Sequence, residues 1–296
     1  MDVRFGKGFA LATGLVCALT GCDSESDSGD GLENTEVRAV EFEFKGLESL
    51  GEDYVYEGWI LVDGVALSAG RFTVDAEGVP SIDRFEISAS DADRASKYVL
   101  TIEPAVGDDP APAATKLMGG SFDNDTAVLS VADGSAFADD FTSGAAKFLL
   151  ETPTSEDPAD YANGIWFLDV SAGTPSIDLP DLPEGWMYEG WVVTEDGPIT
   201  TGRFKSATGT DSDGAGPTAG PADFPGFPGQ DFIDPAMSLV GTTVVISVEP
   251  EPDDSPAPFA LKPLVMPAVE DVADKGLQSM ENNALATNPT GTATLR

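Results

Sequence analysis

Along residues 37–44 apolar and charged side chains alternate, the period of a strand with one buried and one wet face. Residues 55–62 are denser in aromatic and β-branched side chains and run into Asp63-Gly64, a strong two-residue hairpin signal, before a return toward Phe72. The same order recurs where residues 191–194 run into Asp196-Gly197 and return toward Phe204. Residues 98–102 and 244–248 are further short apolar runs, each stopped by Glu-Pro. Proline has no N–H to give to a ladder, so it marks a strand's end or edge. Residues 147–150 and 164–170 predict another hairpin around the polar stretch 152–163. Only residues 268–280 suggest a helix, with Val269, Val272 and Leu277 roughly on one side.

The recurrence is an internal duplication, which bears on the whole fold. Leu47 through Trp59 aligns with Leu179 through Trp191, 132 residues later, and Gly70-Arg71-Phe72 aligns with Gly202-Arg203-Phe204 at the same offset. Ile102-Glu103-Pro104 then matches Val248-Glu249-Pro250, and Asp108-Asp109-Pro110 matches Asp254-Ser255-Pro256, at an offset grown to 146. The added residues fall in the Gly/Pro-rich segment 209–235. Finally Thr126-Ala127-Val128-Leu129 resembles Thr292-Ala293-Thr294-Leu295. Many short strands with frequent turns predict an all-β fold with two tandem, immunoglobulin-like β-sandwich domains over 37–133 and 134–296.

Before the first copy, residues 1–21 read as a signal peptide, with Arg4 and Lys7 ahead of an apolar stretch too short to span a membrane. Leu19-Thr20-Gly21-Cys22 resembles the lipobox of bacterial lipoproteins, which implies that Cys22 is acylated and holds the protein to a lipid bilayer at the extracytoplasmic face of a cell envelope. Several acyl chains on one cysteine give stable anchoring where one is marginal. Residues 22–36, rich in Ser, Gly and acids, suit a flexible tether.

Charge and counts narrow the chemistry. Asp and Glu number 52 against 15 Lys and Arg, for a net charge of −37, which disfavours nucleic acid as a partner. Both copies carry the excess, 19 acids against 7 bases over 37–133 and 26 against 6 over 134–296, a composition suited to solubility at high salt. With no histidine, and both cysteines within the first 22 residues, the body has no triad, no thiol nucleophile and no histidine-held zinc.

Tyr-x-x-Trp, a hairpin, Gly-Arg-Phe and a strand ending in Glu-Pro with a Pro-rich turn together resemble the extracytoplasmic C-terminal domain of RskA-type anti-sigma factors, over roughly residues 40–131 and 164–296. The resemblance implies an extracytoplasmic β module and, as one alternative, a sensor or partner in an anti-sigma system. The candidate residues are Tyr56, Glu57, Trp59, Arg71 and Glu103, mirrored by Tyr188, Glu189, Trp191, Arg203 and Glu249. The aromatics, with Tyr54, Phe72, Trp186 and Phe204, suit either a platform for an envelope protein or glycan, or a core. Packing is the expectation, since aromatics dominate such cores. The acids suit a glycosidase pair or, as expected here, carboxylates in which Glu103 and Glu249 pair with Arg71 and Arg203 or accept hydrogen bonds from the turn behind them. No cofactor is expected. Asp123-Asn124-Asp125, Asp211 with Asp213, and Asp253-Asp254 offer oxygen ligands for Ca²⁺, without EF-hand spacing. The expected function is binding or envelope structure without catalysis, and a carboxylate-dependent glycan-active enzyme is a further alternative.

Overall fold

The computed structural model describes residues 36–253 and 255–296. The signal-like segment 1–21, Cys22, the tether as far as residue 35, and Asp254 lie outside the described residues. The chain is all-β, with sandwich-like packing of antiparallel sheets. The first copy supplies β1 (Val37–Lys45), β2 (Tyr54–Val62), β3 (Val65–Phe72), β4 (Arg84–Ser88), β5 (Ala95–Pro104), β6 (Lys116–Asp123) and β7 (Thr126–Ser130). The second half supplies β8 (Ala145–Leu150), β9 (Gly164–Trp166), the two-residue strands β10 (Leu168–Asp169), β11 (Thr174–Pro175) and β12 (Ile177–Asp178), then β13 (Trp186–Thr194) and β14 (Gly197–Phe204). It continues with β15 (Gly229–Asp231), β16 (Thr243–Pro250), β17 (Leu264–Met266), β18 (Gln278–Ser279), β19 (Glu281–Asn282) and β20 (Thr290–Leu295).

The strands predicted from alternation and turns are present. Val62 pairs with Val65 around Asp63 (φ 51°) and Gly64 (φ 84°), the two positive-φ residues of a primed hairpin turn. In the second copy Thr194 pairs with Gly197, so the turn residues are Glu195 and Asp196, one position earlier than the Asp-Gly pair suggests. β5 and β16 both end at the proline of Glu-Pro. Leu149 and Leu150 pair with Trp166 and Ile165, as the 147–150/164–170 hairpin requires.

One sheet runs β3-β2-β5-β6-β7-β20-β1-β4, and its counterpart runs β14-β13-β16-β17-β19. A third joins β12, β8, β9 and β15, with β18 also paired to β8. β20 therefore leaves the second copy and fills the place between β7 and β1. The two stretches that resemble each other in sequence lie side by side there, Ala127 opposite Ala293 and Thr126 opposite Thr294, while Val40 meets Leu295. Buried Ala293 and Leu295 alternate with wetter neighbours, so β20 closes the core it inserts into. Residues Thr35–Arg296 group as one unit, and one apolar cluster runs from Val40, Tyr56 and Leu100 to Phe148, Trp186 and Ile246. The 133/134 division separates sequence copies; the sheets and the core cross it.

The helix expected near 268–280 is not formed. Only Val269 of its three apolar positions is buried, Asp274 and Lys275 take positive φ, and Gln278 and Ser279 pair with β8 instead. Sheet pairing outweighs a weak helical pattern of which only Val269 reaches the core. The two α-helical turns lie elsewhere: α1 (Ala89–Ala92), capped by the Ser88 hydroxyl accepting from the Asp91 N–H, and α2 (Ala284–Thr287). A 3₁₀ segment spans Pro158–Asn163.

Candidate functional site

The repeated motif builds the same polar framework twice. On β2, Tyr56 packs inward and its hydroxyl donates to the Glu48 carbonyl; on β13, Tyr188 does the same to the Pro180 carbonyl. Gly58 has no room for a Cβ because the Tyr98 hydroxyl lies across it, which accounts for the glycine of Glu-Gly-Trp in the first copy. Trp59 is buried, and its indole N–H donates to Thr101 Oγ1 at 2.9 Å; Thr101 in turn donates to Glu103 Oε1, which also accepts the Ala113 N–H. In the second copy Trp191 donates to Ser247 Oγ at 2.8 Å, Ser247 donates to Glu249 Oε1, and the Phe259 N–H completes that oxygen. Each relay ends on a carboxyl that is 0–1 % exposed, and burial raises both carboxyls above the usual range.

A second chain runs alongside. Ser68 donates to Glu57 Oε1, and the Arg71 guanidinium lies 3.3 Å from Glu57 Oε2 while its other end donates to the Pro104 carbonyl. Thr200, Glu189, Arg203 and Pro250 repeat this, with Arg203 3.4 Å from Glu189 Oε2. The arginines thus pair with Glu57 and Glu189, and the expectation that they hold Glu103 and Glu249 is corrected on that point. Adjacent-strand register places Glu57 directly opposite Arg71 and Glu189 opposite Arg203. Glu103 and Glu249 take the other expected route, accepting N–H groups from beyond the Pro-rich turn. The third members of the framework, Thr101 and Ser247, were not singled out from the sequence. Their signal was present: a small hydroxyl stands two residues before the Glu of the two Glu-Pro pairs that the repeat aligns, Glu103-Pro104 and Glu249-Pro250.

The aromatic candidates are inward. Tyr56, Trp59, Phe72, Trp186, Tyr188, Trp191 and Phe204 are all buried, and Tyr54 is half-buried. Stacks such as Tyr56 on Phe72 at 5.6 Å and Tyr188 against Phe204 at 5.7 Å hold the hairpins to the core.

The large concavity lies where the two Glu-Pro turns meet, a cleft of about 720 Å³. Loop 48–54 forms one side, Pro104 and residues 113–115 another, and Pro250, Glu251, Pro252, Asp253 and Phe259 the rest. Of the repeated acids only Glu249 lines it; Glu57, Glu103 and Glu189 do not. Glu249 Oε2 is buried and has no hydrogen-bond partner. Burial pushes the Glu249 carboxyl up to about 7, against the hydrogen bonds from Ser247 and Phe259. Glu48, on the opposite wall, is likewise pushed up to about 7 by burial, opposed by Lys262 and the Ala260 backbone. Lys262 is half-buried, its ammonium pulled down by desolvation while Glu48 and Glu249 hold it up. Glu48 and Lys262 escaped the sequence reading: Pro180 stands where the second copy would carry Glu48, and Lys262, which falls on Lys116 at the offset of 146, lies beyond the motifs that mark the repeat.

The Ca²⁺ candidates are dispersed. Asp125 pairs with Arg38, while Asp211 accepts the Gly229 N–H, and burial, with the neighbouring Asp213 adding to it, lifts Asp211 to about 7. Among the described residues no group of three or more acidic, cysteine or histidine side chains is placed to hold a metal ion. No family model, curated protein or solved structure matches the chain.

Proposed function

We propose that this is a lipid-anchored extracytoplasmic β protein that acts by binding, with the cleft between the Glu-Pro turns as its ligand site. The observation that carries the reading is the fate of the repeated motif. In both copies the Trp, hydroxyl, Glu and Arg side chains are engaged with one another inside the fold, and of the repeated acids only the buried Glu249 lines the cleft. Glycosidic cleavage needs two carboxyls facing each other across a substrate. Glu57 and Glu189 are instead bonded to arginine and hydroxyl partners on neighbouring strands. The lipobox-like Leu19-Thr20-Gly21-Cys22, followed by a short acidic tether, supports attachment at Cys22. Fractionation of cells expressing the wild-type chain and the Cys22→Ser variant tests the anchoring. The expected result is detergent-dependent extraction of the wild type and release of the variant into the soluble envelope fraction; equal partitioning of the two contradicts it.

A further inference from the structure

The cleft combines three features that bear on what fills it. It is concave and of small-molecule size. Its walls are largely apolar: Leu50, Ile102, Pro104, Pro250 and Phe259, with the half-buried Tyr54. Its polar content is acidic, and one acid is incompletely satisfied, since Glu249 is 0 % exposed and Oε2 has no hydrogen-bond partner. A buried carboxylate oxygen without a partner carries a desolvation cost that a charged donor relieves better than a neutral one. An anion is disfavoured by Glu48, Glu249, Glu52, Asp53 and Asp253 around the cleft.

We propose that the cleft binds a small aliphatic amine, its ammonium donating to Glu249 Oε2 and attracted by Glu48, and its alkyl stem lying against Phe259 and the two Glu-Pro prolines. An ammonium on an apolar stem matches walls of this kind, as lysine stems do when they cover apolar surface with the charged head in a polar place. Lys262 sets the limit on charge: its single ammonium lies within the field of both Glu48 and Glu249, so one further cation brings the inner pair to balance. The groups that face Glu249 are Ser247 and the Phe259 N–H on its own half, Glu189 and Asp253 through space, and Lys262. Ionisation of Glu48 and Glu249, both displaced upward by burial, then couples to binding: amine affinity rises from pH 5.5 to pH 8.

This assignment rests on the cleft being the binding site, and its test is independent of the membrane fractionation. Calorimetric titration of the full-length protein in detergent with pentylamine at pH 8 and 0.5 M KCl is expected to give saturable 1:1 binding. Glu249→Gln and Glu48→Gln should each weaken it at least tenfold. Glu103→Gln, the equivalent carboxyl outside the cleft, should leave it unchanged, and melting curves confirm that each variant is folded. Absence of saturable heat, equal weakening by Glu103→Gln, or a lysine-containing pentapeptide binding more than tenfold tighter than the free amine would each overturn the proposal. Loss of amine binding with intact Cys22-dependent anchoring would remove the ligand class and keep the lipoprotein reading.

Discussion

The two copies of Gly-Arg-Phe share a backbone and differ in what covers it. Gly70 and Gly202 both take positive φ, 119° and 100°, where a side chain is strained and where a neighbour presses close. In the first copy that neighbour is the Phe85 ring; in the second it is the Asp211–Asp213 carboxyl pair, delivered by the Gly/Pro-rich insertion. The arginines just beyond make the same ion pairs with Glu57 and Glu189. Duplication kept the internal framework, and divergence acted on what lies over it. Glu103 and Glu249 likewise keep the same hydroxyl and N–H partners, while only Glu249 lines the cleft.

The sharpest way to separate the halves is to remove β20. Deleting residues 290–296 takes a strand from between β7 and β1 in the first sheet and touches no strand of its counterpart. Loss of the cooperative melt is expected by circular dichroism; a transition within a few degrees of wild type would show that the first copy closes without it. Arg71→Met and Arg203→Met come next. Each strands a buried carboxylate, at a cost of about 3 kcal/mol, and the two drops in Tm should be alike if the frameworks are equivalent. Trp59→Phe and Trp191→Phe remove one indole donor apiece and should each cost about 1–2 kcal/mol. A cost confined to one copy would break the equivalence.

Acidity gives a further comparison. Glu48 and Glu249 have folded pKa values near 7 against an ordinary 4.5, so the folded state holds protons there that the unfolded chain releases. Stability is therefore full below about pH 4.5 with respect to these groups and declines as pH rises through 7, by at most about 3 kcal/mol per group at roughly 1.4 kcal/mol per pH unit. Asp211 adds to the same slope. Tm measured in molar KCl should fall between pH 5 and pH 8, and Glu48→Gln with Glu249→Gln should flatten that fall. A slope unchanged in the double variant would assign it elsewhere. The smallest effect expected is salt itself: with a net charge of −37 spread over both copies, screening over about 3 Å at 1 M should raise Tm from low to molar KCl. A flat response would contradict it.

What was legible in the sequence was local. Alternation at 37–44, the Asp63-Gly64 turn and the Glu-Pro stops each declare a strand or its end within a few residues, and the fold keeps them. The aromatic motif read as core for the same reason, since its rings recur at strand spacing. What was not legible was long-range. Nothing near residues 290–295 says that they pair with residues 126–130 rather than with their own copy, because an alternating strand states its buried face and not its neighbour. The helix suggested at 268–280 failed on the same ground: three apolar residues at helical spacing were outweighed by pairing of Gln278 and Ser279 with β8. The arginines pair with the acid of the adjacent strand, Glu57 or Glu189, and not with the Glu of Glu-Pro one strand further on, and the cleft depends on Glu48, which has no counterpart in the second copy.

The cleft's inner carboxyls provide the most direct test. Carboxyl-carbon NMR of glutamate-labelled protein, with Glu48→Gln and Glu249→Gln used to assign the two signals, follows their titration without any ligand. Both midpoints are expected near 7, well above those of the exposed glutamates. Midpoints between 4 and 5 for both would show an open, hydrated groove, and the binding site assigned to it would fall.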